Sequence, residues 1–221
     1  MSGVFHPTFD ELPRTVAIFP LTGALLLPGG QLPLNIFEPR YLNMVRDAFG
    51  AERMIGMIQP TEPERLAEDD RPPVYPVGCL GRITTFSEAD DGRFLVTLTG
   101  VCRFQCGREL PVLNGYRRVE ALYDRYQEDL DPPPDLPVDR DRLLAALRRF
   151  LDMQNIEADW ESVEEAGNAY LVTALAMVCP FEPQEKQAIL EAVDLSARAE
   201  TIITLLEMGG PEISDSSPAR H

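Results

Sequence analysis

The chain has 221 residues, with 36 Asp and Glu against 20 Lys and Arg and a formal net charge of −16. Its cationic side chains form no cluster that could displace counterions from a phosphate backbone, since Arg117-Arg118 and Arg148-Arg149 are isolated pairs with acidic neighbours, so a nucleic-acid partner is not expected. Four scattered cysteines (Cys79, Cys102, Cys106, Cys179) oppose a disulfide framework, and the uncharged run at residues 166–181 is too short for a membrane span and contains Asn168, Thr173 and Pro180.

In chain order, the first half reads as β. Between Val16 and Tyr41 (VAIFPLTGALLLPGGQLPLNIFEPRY), short apolar runs are punctuated by Pro20, Pro28-Gly29-Gly30 and Pro33, the pattern of strands joined by tight turns. Residues 14–19, 24–27 and 31–37 are therefore expected as strands. Pro39 suits the first turn of a helix over residues 39–49, with Tyr41, Leu42, Val45 and Phe49 at helical spacing and Gly50 ending it. Residues 53–59 read as another strand. A hairpin follows, with residues 77–86 leading in, 88–92 turning and 93–99 returning. The return strand places Phe94, Val96 and Leu98 on one face and Leu95, Thr97 and Thr99 on the other, and Gly100 marks a bulge or bend. Residues 101–110 and 116–123 continue the sheet, giving a small, partly closed barrel or folded sheet.

The composition then changes. Residues 127–137 (QEDLDPPPDLP) are acidic and proline-rich and read as an exposed connector. Everything after it is helical. Leu143, Leu144, Leu147, Phe150 and Leu151 share one face behind a capping Asp139. Ser162-x-x-Glu165 has capping-box spacing ahead of a helix over residues 163–178, read as buried. Pro180 stops it, Pro183 suits the first turn of a helix over residues 182–191, and Asp194 caps a last helix carrying Leu195, Ala199, Ile202, Ile203 and Leu206. The expected organisation is α+β: a β-rich subdomain with one short helix over residues 1–126, a connector at 127–138, a helical bundle at 139–208 and a tail at 209–221.

Several anchors recur in a definite order. They are Phe19-Pro20-Leu21, Leu27-Pro28-Gly29, Leu32-Pro33-Leu34 and Ile36-Phe37-Glu38-Pro39-Arg40-Tyr41, then Val77-Gly78 with Arg82-Ile83. Gly92-Arg93 leading to Gly100 and Arg103-Phe104 comes next, and last Pro180 to Leu190 with Glu185-Lys186-Gln187, followed by residues 197–206. Through these the chain resembles the N-terminal domain of Lon proteases from about Thr15 to Glu207. The resemblance implies a PUA-like pseudo-barrel followed by a helical bundle, and a domain that binds protein substrates without doing chemistry. In full Lon proteases this domain precedes an ATPase and a Ser-Lys protease domain; this chain resembles a stand-alone member without them.

Beside that resemblance, the residue types that could do chemistry stand apart from one another or in polar settings. Lys186 is the only lysine and sits among Gln184, Glu185 and Gln187, a polar setting that would keep it charged and unfit for a Ser-Lys dyad. No lysine follows a glycine, so a phosphate-binding loop is absent. Cys102 and Cys106, four apart on a strand, would lie about 13 Å from each other, too far to share a zinc ion. Asp69-Asp70, Asp90-Asp91 and Glu164-Glu165 are carboxylate pairs in polar surroundings, with nothing to raise a pKa. No metal or cofactor is expected.

The candidate binding residues are Phe37, Arg40, Tyr41 and Met44. Arg40 and Tyr41 could line a ligand groove, or Pro39 could simply start the helix with Glu38 complementing its dipole and Arg40 pairing locally. Met44, Met54 and Met57 could form a soft binding surface, or fill the core. The expected partners are unfolded or flexible protein segments, bound in the cytoplasm, where the lack of a secretory signal would leave the chain. An adaptor for a separate protease is the second reading, and a PUA-like binder of RNA or a small ligand the third.

Overall fold

The computed structural model describes residues 7–62, 71–131 and 137–209. Six strands and one helix make up most of the first part: β1 (Thr15–Pro20), β2 (Gln31–Ile36), α1 (Pro39–Phe49), β3 (Met54–Ile58), β4 (Val77–Glu88), β5 (Phe94–Leu113) and β6 (Tyr116–Leu122). The strand order is β2-β5-β4-β3-β1-β6, and β5 also pairs with β6, so β5, β4, β3, β1 and β6 close into a five-stranded barrel. Only β1 and β3 run parallel. With the helices that follow, the fold is α+β, as the sequence implies.

The 20-residue strand β5 makes this closure possible. Its first third, from Phe94 to Thr99, lies between β2 and β4 in a three-stranded wing. Its last part, from Gln105 to Leu113, pairs with β6 instead. The register on β4 slips between Leu80↔Cys102 and Gly81↔Gly100, leaving Val101 over as a bulge where the strand turns from wing to barrel. Gly100 is indispensable there: a Cβ would lie 1.9 Å from the Leu27 carbonyl oxygen. The Gly100 N–H donates to Gly30 O and its carbonyl accepts from Gly29 N–H. These bonds hold residues 24–27 against the sheet as irregular backbone, not the strand expected there. Leu25, Leu26 and Leu27 are all buried, so the apolar run fills the core without a ladder of its own.

Inside the barrel, Val16, Ile18, Leu80, Cys102, Phe104 and Val119 form one cluster. The Phe104 ring fits because Gly78 faces it; a Cβ there would come within 2.8 Å of Cζ. The acidic stretch expected to be an exposed connector is not exposed throughout. Gln127–Leu130 is a 3-10 turn, and Leu130 packs against the barrel core. Asp129 accepts bonds of 2.9 Å each from the N–H, Nε and Nη2 of Arg103, side chains only 10% and 7% exposed. Residues 132–136 of that stretch lie outside the described residues, as do the tail from 210 and Asp69-Asp70.

The chain divides into two units, Met1–Pro134 and Asp135–His221. The second holds α2 (Arg140–Met153), α3 (Trp160–Glu165), α4 (Asn168–Val178), α5 (Pro183–Glu191) and α6 (Leu195–Glu207). Asp139 and Asp194 cap α2 and α6 by accepting from Arg142 and Ala197 N–H, as their positions imply. The single helix expected over residues 163–178 is two. Asp159 starts the chain turning three residues earlier by accepting from Ser162 N–H. Extended backbone at Ala166 and Gly167 then separates α3 from α4. Nor is α4 buried all round: Leu171, Val172 and Ala176 are inside, while Tyr170 and Val178 are 73% and 81% exposed.

Candidate functional site

Helix α1 organises the first candidate region. Glu38 stands at its N-cap and Pro39 opens it, as the sequence pattern requires. Arg40 Nε donates to Glu38 Oε2 at 2.9 Å, and the Arg40 guanidinium lies 4.8 Å from the Tyr41 ring centre. Tyr41 packs its ring 4.1 Å from that of Phe19. Asp47 fastens the helix to the β5–β6 hairpin, its Oδ2 accepting from Tyr116 OH at 2.8 Å and Asn114 Nδ2 at 2.7 Å. Burial and this bond push the Tyr116 hydroxyl up to about 12.

The four residues singled out by sequence do not share one surface. Phe37 is 64% exposed just past β2. Arg40 is half-buried and paired. Tyr41 is buried, and Met44 has no exposed surface at all. Met54 and Met57 are likewise core. Arg40 and Tyr41 do border a crevice with Tyr116 and Arg117, but at about 10 Å³ it holds one water at most.

The larger concavity lies elsewhere, on the outer face of the wing. The alternation expected for β5 is present: Phe94, Val96 and Leu98 are buried, while Leu95 is 47% exposed beside Thr97 and Thr99. In register across the three strands stand Pro33–Thr97–Thr85 and Asn35–Leu95–Ser87. They line a shallow depression of about 430 Å³. None of its lining residues is ionisable, so it offers apolar contact and hydroxyl or amide hydrogen bonds, and no acid or base. Pro33 suits edge strand β2 because it has no N–H to give a ladder.

Phe86 borders that depression and is 44% exposed. Its ring lies edge-on to Phe49 at 4.9 Å and to Phe94 at 5.0 Å. The Arg46 guanidinium sits 5.1 Å from the Phe94 ring centre, and that of Arg53 5.8 Å from Phe49. Sequence reading missed this group because its members come from α1, the turn at Arg53, β4 and β5; only Arg46 and Phe49, three apart on one helix, gave a local signal.

Burial pushes the thiols up, to about 12 for Cys102 and about 11 for Cys106 and Cys179. Cys102 Sγ donates to the Arg103 and Tyr126 carbonyls. Lys186 is half-buried rather than solvated, and burial lowers its pKa. Among the described residues no three His, Cys, Asp or Glu side chains gather as a metal site, and no helix is long and apolar enough to cross a membrane.

Comparison with known proteins bears on this geometry. The family model for the ATP-dependent protease La (LON) substrate-binding domain matches residues 15–208. The chain is 26% identical over 205 residues to Lon protease 2 of Myxococcus xanthus, covering 89% of this chain and 24% of that protein. It is 29% identical over 215 residues to Lon protease 2 of Sorangium cellulosum, covering 90% and 26%. The chain thus spans about a quarter of the length of the curated relatives it matches. Two solved structures share the fold. A Lon N-terminal domain protein from Xanthomonas campestris matches with a TM-score of 0.60 at 24% identity, over 86% of this chain and 97% of that one. The N-terminal domain of Mycobacterium avium complex Lon protease matches with a TM-score of 0.58 at 18% identity, over 87% and 98%.

Proposed function

The chain belongs to the LON substrate-binding domain family, and from that premise we propose that it is a non-catalytic module that holds unfolded or flexible segments of other proteins in the cytoplasm. The observation that carries this reading is the bare outer face of the wing: a depression of about 430 Å³ with Leu95 exposed and no ionisable group in its lining, beside the exposed edge of Phe86. Such a surface gains by covering apolar area, roughly 25 cal/mol per Å² before ordering costs, and its Thr, Ser and Asn groups can satisfy an extended backbone without selecting one sequence. Contact across the face fits better than strand addition at β2, because Pro33 leaves that edge one donor short. Phe37 and Arg40 lie at the surface between β2 and α1, where a bound segment could extend; Tyr41 and Met44 support them from the core. Titrating a fluorescent, chemically unfolded protein with the wild type and with Leu95→Ser/Phe86→Ser tests the reading. Saturable binding lost in the double variant supports it, and equal binding by both removes the wing from it.

A specific observation also favours the second reading, an adaptor that meets a separate protease or another large partner. Helix α4 has no charged residue, yet Tyr170 and Val178 project from it into solvent. Substituting both with serine would abolish co-purification with such a partner while leaving the binding of unfolded segments intact.

A further inference from the structure

We propose that the Phe49–Phe86–Phe94 cluster, with Arg46 and Arg53, is a docking site for extended polypeptide segments in which an apolar or aromatic anchor is flanked by carboxylates. The inference rests on the reading that this domain holds polypeptides, and it narrows the class of segment. Two observations carry it. The first is the exposed aromatic seat, Phe86 held edge-on between two other rings. The second is the state of the two guanidiniums. In a chain with 36 acidic residues, Arg40, Arg93, Arg103, Arg108, Arg117 and Arg142 each pair with a carboxylate. Arg46 and Arg53, like Arg14, Arg82, Arg118, Arg125 and Arg140, pair with none among the described residues, and these two lie over the rings of the aromatic cluster itself.

Their neighbours do not supply a partner. Asp47, next to Arg46, is taken by Tyr116 and Asn114, and Arg46 Nη1 has only a 3.4 Å bond to Asn43 Oδ1. Glu52 precedes Arg53, and Glu88 stands across the ladder from Phe94, yet neither forms an ion pair with these guanidiniums. Arg53 is moreover held with φ +59, and its carbonyl accepts from Ile83 N–H at 2.8 Å, so its backbone is fixed at the point where β3 begins. A guanidinium stacked on a ring keeps its N–H fork free for a carboxylate in the ring plane's periphery. An anchor seated on Phe86 would bring flanking carboxylates to both forks.

Fluorescence anisotropy with three labelled synthetic peptides tests this. Each carries a Phe-Leu-Phe anchor, flanked on both sides by Glu, by Gln or by Lys. Two partly exposed charge-assisted contacts predict the Glu peptide binding roughly tenfold tighter than the Gln peptide, with the Lys peptide weakest and the Glu advantage shrinking as salt rises. Arg46→Glu/Arg53→Glu should erase or reverse that order, and Arg46→Gln/Arg53→Gln should level it, both with unchanged thermal unfolding because the side chains are exposed. Equal binding of the Glu and Gln peptides overturns the inference and leaves polypeptide binding standing. Failure of all three peptides and of an unfolded protein to bind sinks the broader reading as well. A single-stranded oligonucleotide that displaces the Glu peptide in an Arg46- and Arg53-dependent way would reassign the patch to nucleic acid, against the net charge of −16.

Discussion

The two parts of β5 place the same strand in different surroundings. From Cys102 to Phe104 it lies against β4 on one side and the Tyr126–Leu130 turn on the other, and its side chains are buried, including the charged Arg103. From Phe94 to Thr99 it belongs to a three-stranded sheet with one face packed and one bare. Closure spends every surface of the barrel segment on stability, whereas the wing keeps one surface available for something else. The difference predicts that substitutions in the barrel segment cost folding free energy, and those on the wing cost binding.

The largest expected effect lies at the Arg103–Asp129 pair. Asp129→Ala leaves a buried guanidinium uncompensated and should cost about 3–5 kcal/mol in denaturant unfolding, whereas Arg103→Met/Asp129→Leu should recover only part of it, since the backbone N–H of residue 103 loses its acceptor in both. A small loss in the single variant would mean that the barrel segment is as tolerant as the wing. Next comes the junction. Gly100→Ala drives a methyl into the Leu27 carbonyl and should cost about 3 kcal/mol or more. A near-neutral result would show that wing and barrel are not held in one fixed register. The third effect is alkaline. Burial and the bond to Asp47 raise Tyr116 from 10.0 to about 12, and burial raises Tyr123 as well. Since the raised folded-state pKa favours the protonated phenol, this stability is complete below about pH 10 and is lost as pH rises toward 12. Tyr116→Phe should flatten that part of the stability–pH profile; an unaltered profile would remove Tyr116 as its source. Smallest on stability, Leu95→Ser should shift unfolding by less than about 1 kcal/mol while weakening the capture of unfolded protein. The reverse ranking would dissolve the contrast.

Much of this was legible in the sequence because the deciding physics is local. The alternation from Phe94 to Thr99, the caps Asp139 and Asp194, Pro39 at the start of α1 and the Gly100 irregularity each follow from neighbours a few residues apart. What was not legible depends on distant partners. Leu25 to Leu27 have strand composition but meet Gly100 instead of a ladder. Asp129 looks like connector acid until Arg103 is placed beneath it. Tyr41 and Met44 read equally as groove or core, and packing against Phe19 and the sheet decides for core. The aromatic–arginine cluster joins α1 to β4 and β5, and no periodicity reports such a meeting.

One consequence of the unbroken run from Phe94 to Leu113 concerns time rather than energy. Amide protons near its start can exchange with solvent when the wing frays, whereas those of Cys102 and Phe104, opposite β4 in the barrel, must wait for the barrel to open. Deuterium uptake along this single strand would therefore follow a gradient, and an occupant on the wing would slow the fast end while leaving the slow end untouched.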